Sequence, residues 1–374
     1  MKLVYLTGQK YPSKKVDPFY RKSMAAAFAR LLGEDFTFVV RAPAPEELAS
    51  MRPLPVRAPR HLKTLFYFVK FPLLVSRERW SARDVVIFSY DPYLLAVAIF
   101  WRSILRYQYR VISDWHQLYE DWRDSYVAKR SDLLVTTSKR LKGLLVKRFA
   151  ISPERVRAAY GGVDLQPFQE TSVSGAELRA GLGLPAGAFL VGYVGGFTSV
   201  GIPKGLDTML EALPLLPKEI RAVFVGGSER EIAEYQAFAR KRGVAERAIF
   251  VRRQPFEKVV EYERAMDALV IPYPDKPHFR EYGFPMKVWE YMAAGRPIIY
   301  SNLELIGEAL AGRAHPFIPD SAQDLARVVE AVRREWEVAE RVAAGNPREV
   351  LAYTWDARVK NIVDFIRTLY LSQK

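Results

Sequence analysis

The feature that confines this chain most tightly is an alternation carried almost from end to end, in which short apolar, β-rich runs are followed by longer segments with the period of a helix. In the first half the runs are "LVYLTG" (3–8), "FTFVVR" (36–41), "DVVIFSY" (84–90), "YRVISDW" (109–115), "DLLVTTS" (132–138) and "VRAAYGG" (156–162). Helical segments such as "FYRKSMAAAFARLLG" and "KRLKGLLVKRF" lie between them. In the second half "FLVGYVGG", "RAVFVGG", "AIFVRR", "ALVIPYP" and "RPIIYS" alternate with helices in the same way. Strands that are apolar along their whole length are buried on both faces, as in a parallel sheet covered by helices. Each half has enough of them for a complete doubly wound, Rossmann-like domain.

A chain of 374 residues exceeds the roughly 250–300 at which single cores stop growing, so two α/β domains are predicted. The turn-rich stretch from 165 to 188 ("QPFQETSVSGAE", "GLGLPAGA") reads as the linker. Two such domains facing each other leave a cleft, and ligands of open parallel sheets bind beyond the carboxyl ends of the strands.

The chain has no cysteine, so disulfides and thiolate chemistry are excluded. "MKLVYLTG" reads as a first strand and not as a secretory signal, and the longest apolar run, "YLLAVAIFW" (93–101), is too short to span a bilayer. A cytosolic protein is expected. Net charge is +14, and residues 1–167 hold 29 Lys and Arg against 15 Asp and Glu, so the whole excess lies in the first half. That asymmetry suits either a polyanion facing the first domain or plain solubility.

Two places invite an anion. The strand "FLVGYVGG" runs into "FTSVGIPKG" and the helix "LDTMLEAL", so that Gly195 and Gly196 keep the backbone thin and Lys204 stands before a helix N-terminus. Amide N–H groups, helix dipole and ammonium would all favour a phosphate there, and the same glycines also suit an ordinary tight turn. Farther on, "EYGFPMKVWEYMAAGRPII" (281–299) places Lys287 and Glu290 in the first turn of a helix between two strands. A carboxylate at 290 can accept both hydroxyls of a ribose, while a solvated charge pair one turn apart is the plainer account.

"FPMKVWEYMAAGRPII" resembles the P-x-K-x-x-E-Y-M-A-x-G-x-P segment of GT-B glycosyltransferases close to glycosyltransferase family 4. "RSDLLVTTSKRL", "GGVDLQPF", "KGLDTMLEAL" and "YTWDARVKNIVDFI" are similar to further segments of that family, in its order. The resemblance implies a GT-B fold with an acceptor domain at 1–165, joined by a returning helix at 355–374, and a donor domain at 166–354. It also implies a nucleotide-sugar donor, UDP-linked by preference, and a lipid-linked or polysaccharide acceptor, as in bacterial cell-envelope synthesis. By the family's pattern Glu290 binds the donor ribose, Lys204 the diphosphate, and Gly283 with Phe284 the sugar. Two positions depart from it: Tyr282 stands where the family has its first glutamate, with Glu281 just before, and Gly196 replaces an arginine of the phosphate strand. Lys287, Arg253 and Arg280 are the candidates for the missing charge.

In the first half, "DWHQLYED" puts Asp114 and His116 at the end of a strand. Retaining relatives use a histidine in this region on the donor sugar, and some inverting relatives use the aspartate as general base. A structural pair, with Asp114 capping a helix, is the alternative. There is no D-x-D, and histidines at 61, 116, 278 and 315 make no zinc set, so metal independence is expected with no cofactor. The stretch 57–80, "RAPRHLKTLFYFVKFPLLVSRERW", interleaves basic and aromatic residues, and "KYPSKKVDPFYRK" adds lysines. Both suit an anionic membrane surface at the inner face of the cell membrane. A basic nucleic-acid-binding protein and a sugar-binding protein without catalysis are the rival readings; no nucleic-acid module is recognised, so nucleic acid is not the expected partner.

Overall fold

The strands form where the sequence places them because β-branched and aromatic residues there have an apolar partner on each face. In a computed structural model, which describes residues 1–11, 16–42, 46–59, 62–170 and 174–371, the first sheet consists of β1 (Lys2–Lys10), β2 (Phe36–Arg41), β3 (Pro53–Val56), β4 (Val85–Ser89), β5 (Arg110–Trp115), β6 (Leu133–Thr136) and β7 (Val156–Ala158). All neighbours are parallel, in the order β3-β2-β1-β4-β5-β6-β7. The second consists of β8 (Phe189–Val194), β11 (Ile220–Gly227), β12 (Ala248–Arg252), β13 (Ala268–Ile271), β14 (Ile298–Ser301) and β15 (His315–Phe317), in the order β12-β11-β8-β13-β14-β15. The hairpin β9 (Thr198–Ser199) and β10 (Ile202–Pro203) follows β8.

The hairpin β9–β10 and two strands of the large sheets were not legible. β3 carries prolines at 53 and 55, which cannot donate to a ladder on both sides, and it lies on the edge, the one place a sheet tolerates them. β15 is three residues long, contains Pro316 and is likewise an edge.

The chain divides into two compact units, Met1–Gly162 with Thr354–Lys374, and Val163–Tyr353. The sequence reading puts these crossings after 165 and at 355. The expected linker contains the short helix Gly175–Gly181, opened by a capping box between Ser174 and Glu177 that satisfies two N-terminal amides reciprocally. In the first unit the C-terminal helix Trp355–Leu371 packs on the helix Val16–Leu32. That unit holds 33 Lys and Arg against 16 Asp and Glu, whereas the second holds 23 against 26. Among the described residues no helix is long and apolar enough to cross a membrane. Lys14, Lys15, Arg60 and His61, part of the basic stretches singled out above, lie outside the described residues.

Each sheet reverses its strand order once, between β1 and β4 in the first and between β8 and β13 in the second. At such a switch point the two following loops part and leave a crevice at the carboxyl ends. The residues that could do chemistry gather near these places.

Candidate active site

In the second unit the switch point is lined by Gly195, at the end of β8, and by Pro272 and Tyr273, after β13. The helix Lys287–Ala294 brings Lys287 to it. Gly195 has φ 141°, and a Cβ there would come within 2.6 Å of the Lys287 ammonium, so only glycine lets that ammonium lie against the backbone. The ammonium also stands 4.8 Å from the Tyr193 ring centroid and 6.0 Å from that of Tyr273, a cation held over aromatic faces.

Lys204 reaches the same place from the other side. The hairpin that precedes it turns at Val200 and Gly201, both at positive φ (50° and 79°), the geometry of a tight primed turn. A β-branched, exposed valine in that conformation is strained, and such strain concentrates where a loop must be aimed. Lys204 N then donates to Phe197 O at 3.0 Å and closes the loop. Gly205, at φ 76°, packs so tightly on the Pro272 carbonyl that a Cβ would lie 1.9 Å from its oxygen. The Lys204 ammonium sits 5.7 Å from the Tyr273 ring centroid. Sequence reasoning leaves these glycines between a phosphate loop and an ordinary tight turn; in the fold Gly195 and Gly205 let two lysines approach one aromatic floor.

The electrostatics follow from burial. Desolvation and the neighbouring Lys287 hold Lys204 well below the ordinary ammonium range, with Glu290 and Glu231 opposing. Lys287, 7% exposed, is also pushed down by desolvation, against Glu290 and Glu263. Glu263 was not singled out by sequence reasoning. It sits on the helix Phe256–Ala265, is fully buried, and neither carboxyl oxygen has a hydrogen-bond partner among the described residues. Burial, together with Glu290, raises it far above the usual carboxylate range, with Lys287 opposing, which favours the neutral form. The signal was present, since Val260 and Glu263 are one turn apart on an otherwise apolar face.

The remaining candidates divide. Phe284 stacks on Trp289 at 5.4 Å, and Trp289 on Tyr353 at 3.9 Å, which anchors the loop before the helix. Gly283 N donates to His278 O at 2.7 Å, and the His278 ring lies against the Gly283 Cα. His278, a residue considered above only for zinc, is 3.3 Å from Ser199 Oγ and is pushed down by burial and by Lys204, so it belongs to this constellation. Tyr282 packs edge-on to His278, and Glu281 ends the helix Pro277–Glu281, half-buried. Gly196 contributes its carbonyl, which accepts from Tyr193 Oη at 2.7 Å. Arg253 is exposed but enters the electrostatics of Lys204, whereas Arg280 is spent on Asp275 at the surface, 3.2 Å away. Of the three cations considered for the missing arginine, Lys287 is the one against the phosphate strand. The N–H groups of Val288 and Trp289 bond to the Pro285 and Met286 carbonyls, so attraction at this helix start rests on the ammonium and not on those amides.

In the first unit Asp114 is the penultimate residue of β5 and is 3% exposed. Its Oδ1 accepts from Arg358 Nη2 at 2.8 Å, and its Oδ2 is 3.0 Å from His116 Nε2. Arg21 Nη1 lies 2.9 Å from that same Nε2, with the guanidinium 3.7 Å over the Tyr90 ring. One nitrogen thus faces a donor and an acceptor, and its protonation decides which it serves: protonated it donates to Asp114, deprotonated it accepts from Arg21. Burial alone would raise Asp114, but Arg358, His116 and Arg21 together hold it well below the usual carboxylate range. Burial and Arg21 hold His116 below the ordinary imidazole value. Asp114 caps no helix, for the next one, Trp122–Arg130, is capped by Asp121. Arg21 and Arg358, contributed by the first and last helices, were not found by sequence reasoning because partners so remote in sequence leave no local pattern. Among the described residues no group of three or more His, Asp or Glu side chains converges as a metal site would.

Residues 21–167 match the family model described as Glycosyltransferase Family 4, and residues 188–335 match that described as Glycosyl transferases group 1. The D-inositol 3-phosphate glycosyltransferase of Thermomonospora curvata is 28% identical over 255 residues, covering 64% of this chain and 58% of that protein. Its namesake from Xylanimonas cellulosilytica is 26% identical over 250 residues with the same coverage. The match thus spans less than two thirds of those relatives. The backbone is similar to that of HepE from Anabaena in complex with UDP (TM-score 0.76, 15% identity, 98% of this chain and 100% of that one). It is also similar to sucrose-phosphate synthase from Thermosynechococcus elongatus (TM-score 0.78, 18% identity, 99% of each). Two units with these sheets and these structural neighbours show the GT-B fold, and the sequence is similar to the Glycosyltransferase Family 4 model in the first unit and to the Glycosyl transferases group 1 model in the second.

Proposed function

We propose that this protein transfers a sugar from a nucleoside diphosphate donor, a UDP-sugar by preference, to a lipid-linked or polysaccharide acceptor at the cytoplasmic face of the cell membrane. The observation that carries the reading is the meeting of Lys204, Lys287 and Glu290 at the switch point of the second sheet. HepE, whose fold this chain shares, has structures with UDP and with UDP-glucose, which supports the choice of base.

In the reaction the bond from the anomeric carbon to the diphosphate oxygen breaks, and the acceptor oxygen takes the carbon and gives up its proton. Charge therefore develops on the leaving diphosphate, and a group placed to receive that charge accelerates the step. Lys204 and Lys287 supply two ammonium groups on a dry aromatic floor, so the proposal needs no divalent cation. Glu290 holds the ribose hydroxyls. Of the two groups in the first unit, His116 is the better proton carrier, because Asp114 is too weak a base and both its oxygens are engaged. Asp114 orients the imidazole.

Turnover of a panel of UDP-, GDP- and ADP-sugars with and without a chelator tests this. UDP release that survives EDTA supports the reading; no turnover with any donor, or activity only with added metal, contradicts it.

A further inference from the structure

The first unit leaves uncovered an apolar face that its own core does not need. Leu62, Leu65, Val69 and Leu73 recur at helical spacing along the helix Lys63–Arg77 and its first flanking residue, each 50 to 69% exposed. The helix Pro92–Leu105 packs beside it and adds Phe100, Ile104 and Leu105, 39 to 59% exposed. Phe68 joins the two rows, with its ring 5.1 Å from those of Phe100 and of Trp101, and Trp101 Nε1 donates to the Phe68 carbonyl at 2.8 Å. The inward faces of both helices are apolar as well, through Tyr67, Phe71 and Val75 on one and Leu95, Ala98 and Ile99 on the other. A helix apolar on both sides is one that is covered on both sides.

What covers it is written in the charges. Neither helix contains an Asp or a Glu. Arg57, Lys70, Arg77, Arg79 and Arg106 belong to these helices and their flanks, with Lys70 Nζ bound to the Arg57 carbonyl at 3.0 Å and the nearby Glu78 already paired with Arg77. A protein partner is met by rims of both signs in balance, whereas an apolar face whose rim carries an excess of cations matches hydrocarbon beneath an anionic headgroup layer.

We propose that the paired helices Lys63–Arg77 and Pro92–Leu105 lie in the surface of an anionic bilayer, with Leu65, Val69, Leu73, Phe100 and Ile104 entering the acyl boundary and the flanking arginines on the lipid phosphates. This rests on and deepens the membrane part of the function proposed above: it keeps the helix Lys63–Arg77 within the stretch 57–80 and adds the helix Pro92–Leu105. Of the aromatics in the stretch 57–80, Phe71 and Trp80 are core, and the second helix was not implicated by sequence at all.

Flotation of the full chain with phosphatidylcholine vesicles, and with the same vesicles containing phosphatidylglycerol, tests the assignment. The protein floats with the anionic vesicles, and salt weakens this. The triple variant Leu65→Asn, Val69→Asn, Leu73→Asn partitions at least about tenfold less, and Phe100→Asn with Ile104→Asn on the other helix does the same. Leu31→Asn, an exposed apolar residue on a separate helix, floats as the parent does. Hydrogen exchange of the β1 and β5 amides stays at the parent value in all three, which certifies that the first unit is folded. Equal flotation with neutral vesicles overturns the proposal, as does parental flotation of both multiple variants. So does a dimer, formed without lipid, that the substitutions dissolve, since a second copy then covers the face. None of these readouts involves sugar transfer, so the docking surface can fail while the transferase reading stands.

Discussion

Removing Arg358 should destabilise the first unit through Asp114. The guanidinium and the carboxylate meet at 2.8 Å with side chains 1% and 0% exposed, so solvent screening does not discount the pair. Deleting one partner of a buried pair leaves the other charged and unsolvated, at a cost of ~3–5 kcal/mol. Arg21 at 4.0 Å and His116 at 3.0 Å remain beside Asp114, which argues for the lower end. For Arg358→Met a loss of about 3 kcal/mol corresponds to about two orders of magnitude in an opening equilibrium. Hydrogen exchange of the β5 amides reads this locally.

The pH dependence adds a second check. In the parent, Asp114 titrates below its unfolded value, so its contribution is in place above that value and is lost as pH falls through the folded one. In the variant burial acts with less opposition, the folded value rises, and the acid-side loss of stability below about pH 4 should flatten, or reverse in sign once the folded value passes the unfolded one. A loss under about 1 kcal/mol, typical of a surface pair, with an unchanged pH profile would refute the reasoning.

Three further outcomes follow from the second unit. Because Lys204 and Lys287 are both held below the ordinary ammonium range, a diphosphate should raise them and take up protons. The binding enthalpy of UDP should then vary with the ionisation heat of the buffer, and a buffer-independent enthalpy would contradict this. Glu290→Ala removes the ribose acceptor and should weaken UDP by ~1.5–3 kcal/mol, leaving UDP and its dideoxyribose analogue equal in affinity; a preserved preference for UDP would assign the ribose elsewhere. Glu263 is raised in the fold, so its contribution is present at low pH and is lost as pH rises through the folded value. Glu263→Gln should abolish that alkaline slope in melting temperature, and parallel slopes would show that the carboxyl is not the neutral acid.

The strands were legible because burial on both faces writes itself as continuous apolar runs, and the helix Lys139–Phe149 because its Ser138 cap and apolar period coincide. β3 and β15 were hidden by prolines that only an edge position excuses. In the site, Lys204, Lys287 and Glu290 could be read from spacing within single segments. Arg21, Arg358 and Glu263 could not, since their roles come from partners on other elements. The open apolar face of the first unit escaped for a related reason: composition shows which residues are aromatic and basic, whereas only packing shows that Phe71 and Trp80 point inward while Val69 and Leu73 point out.

The claim on which the rest turns is that two buried ammonium groups at the second switch point hold a diphosphate. Its most direct test is the ratio of UDP to uridine affinity in the parent and in Lys287→Met, measured by calorimetry. The parent should prefer UDP strongly, and the variant should lose at least about tenfold of that preference while binding uridine as before. An unchanged ratio would place the diphosphate elsewhere and contradict the account.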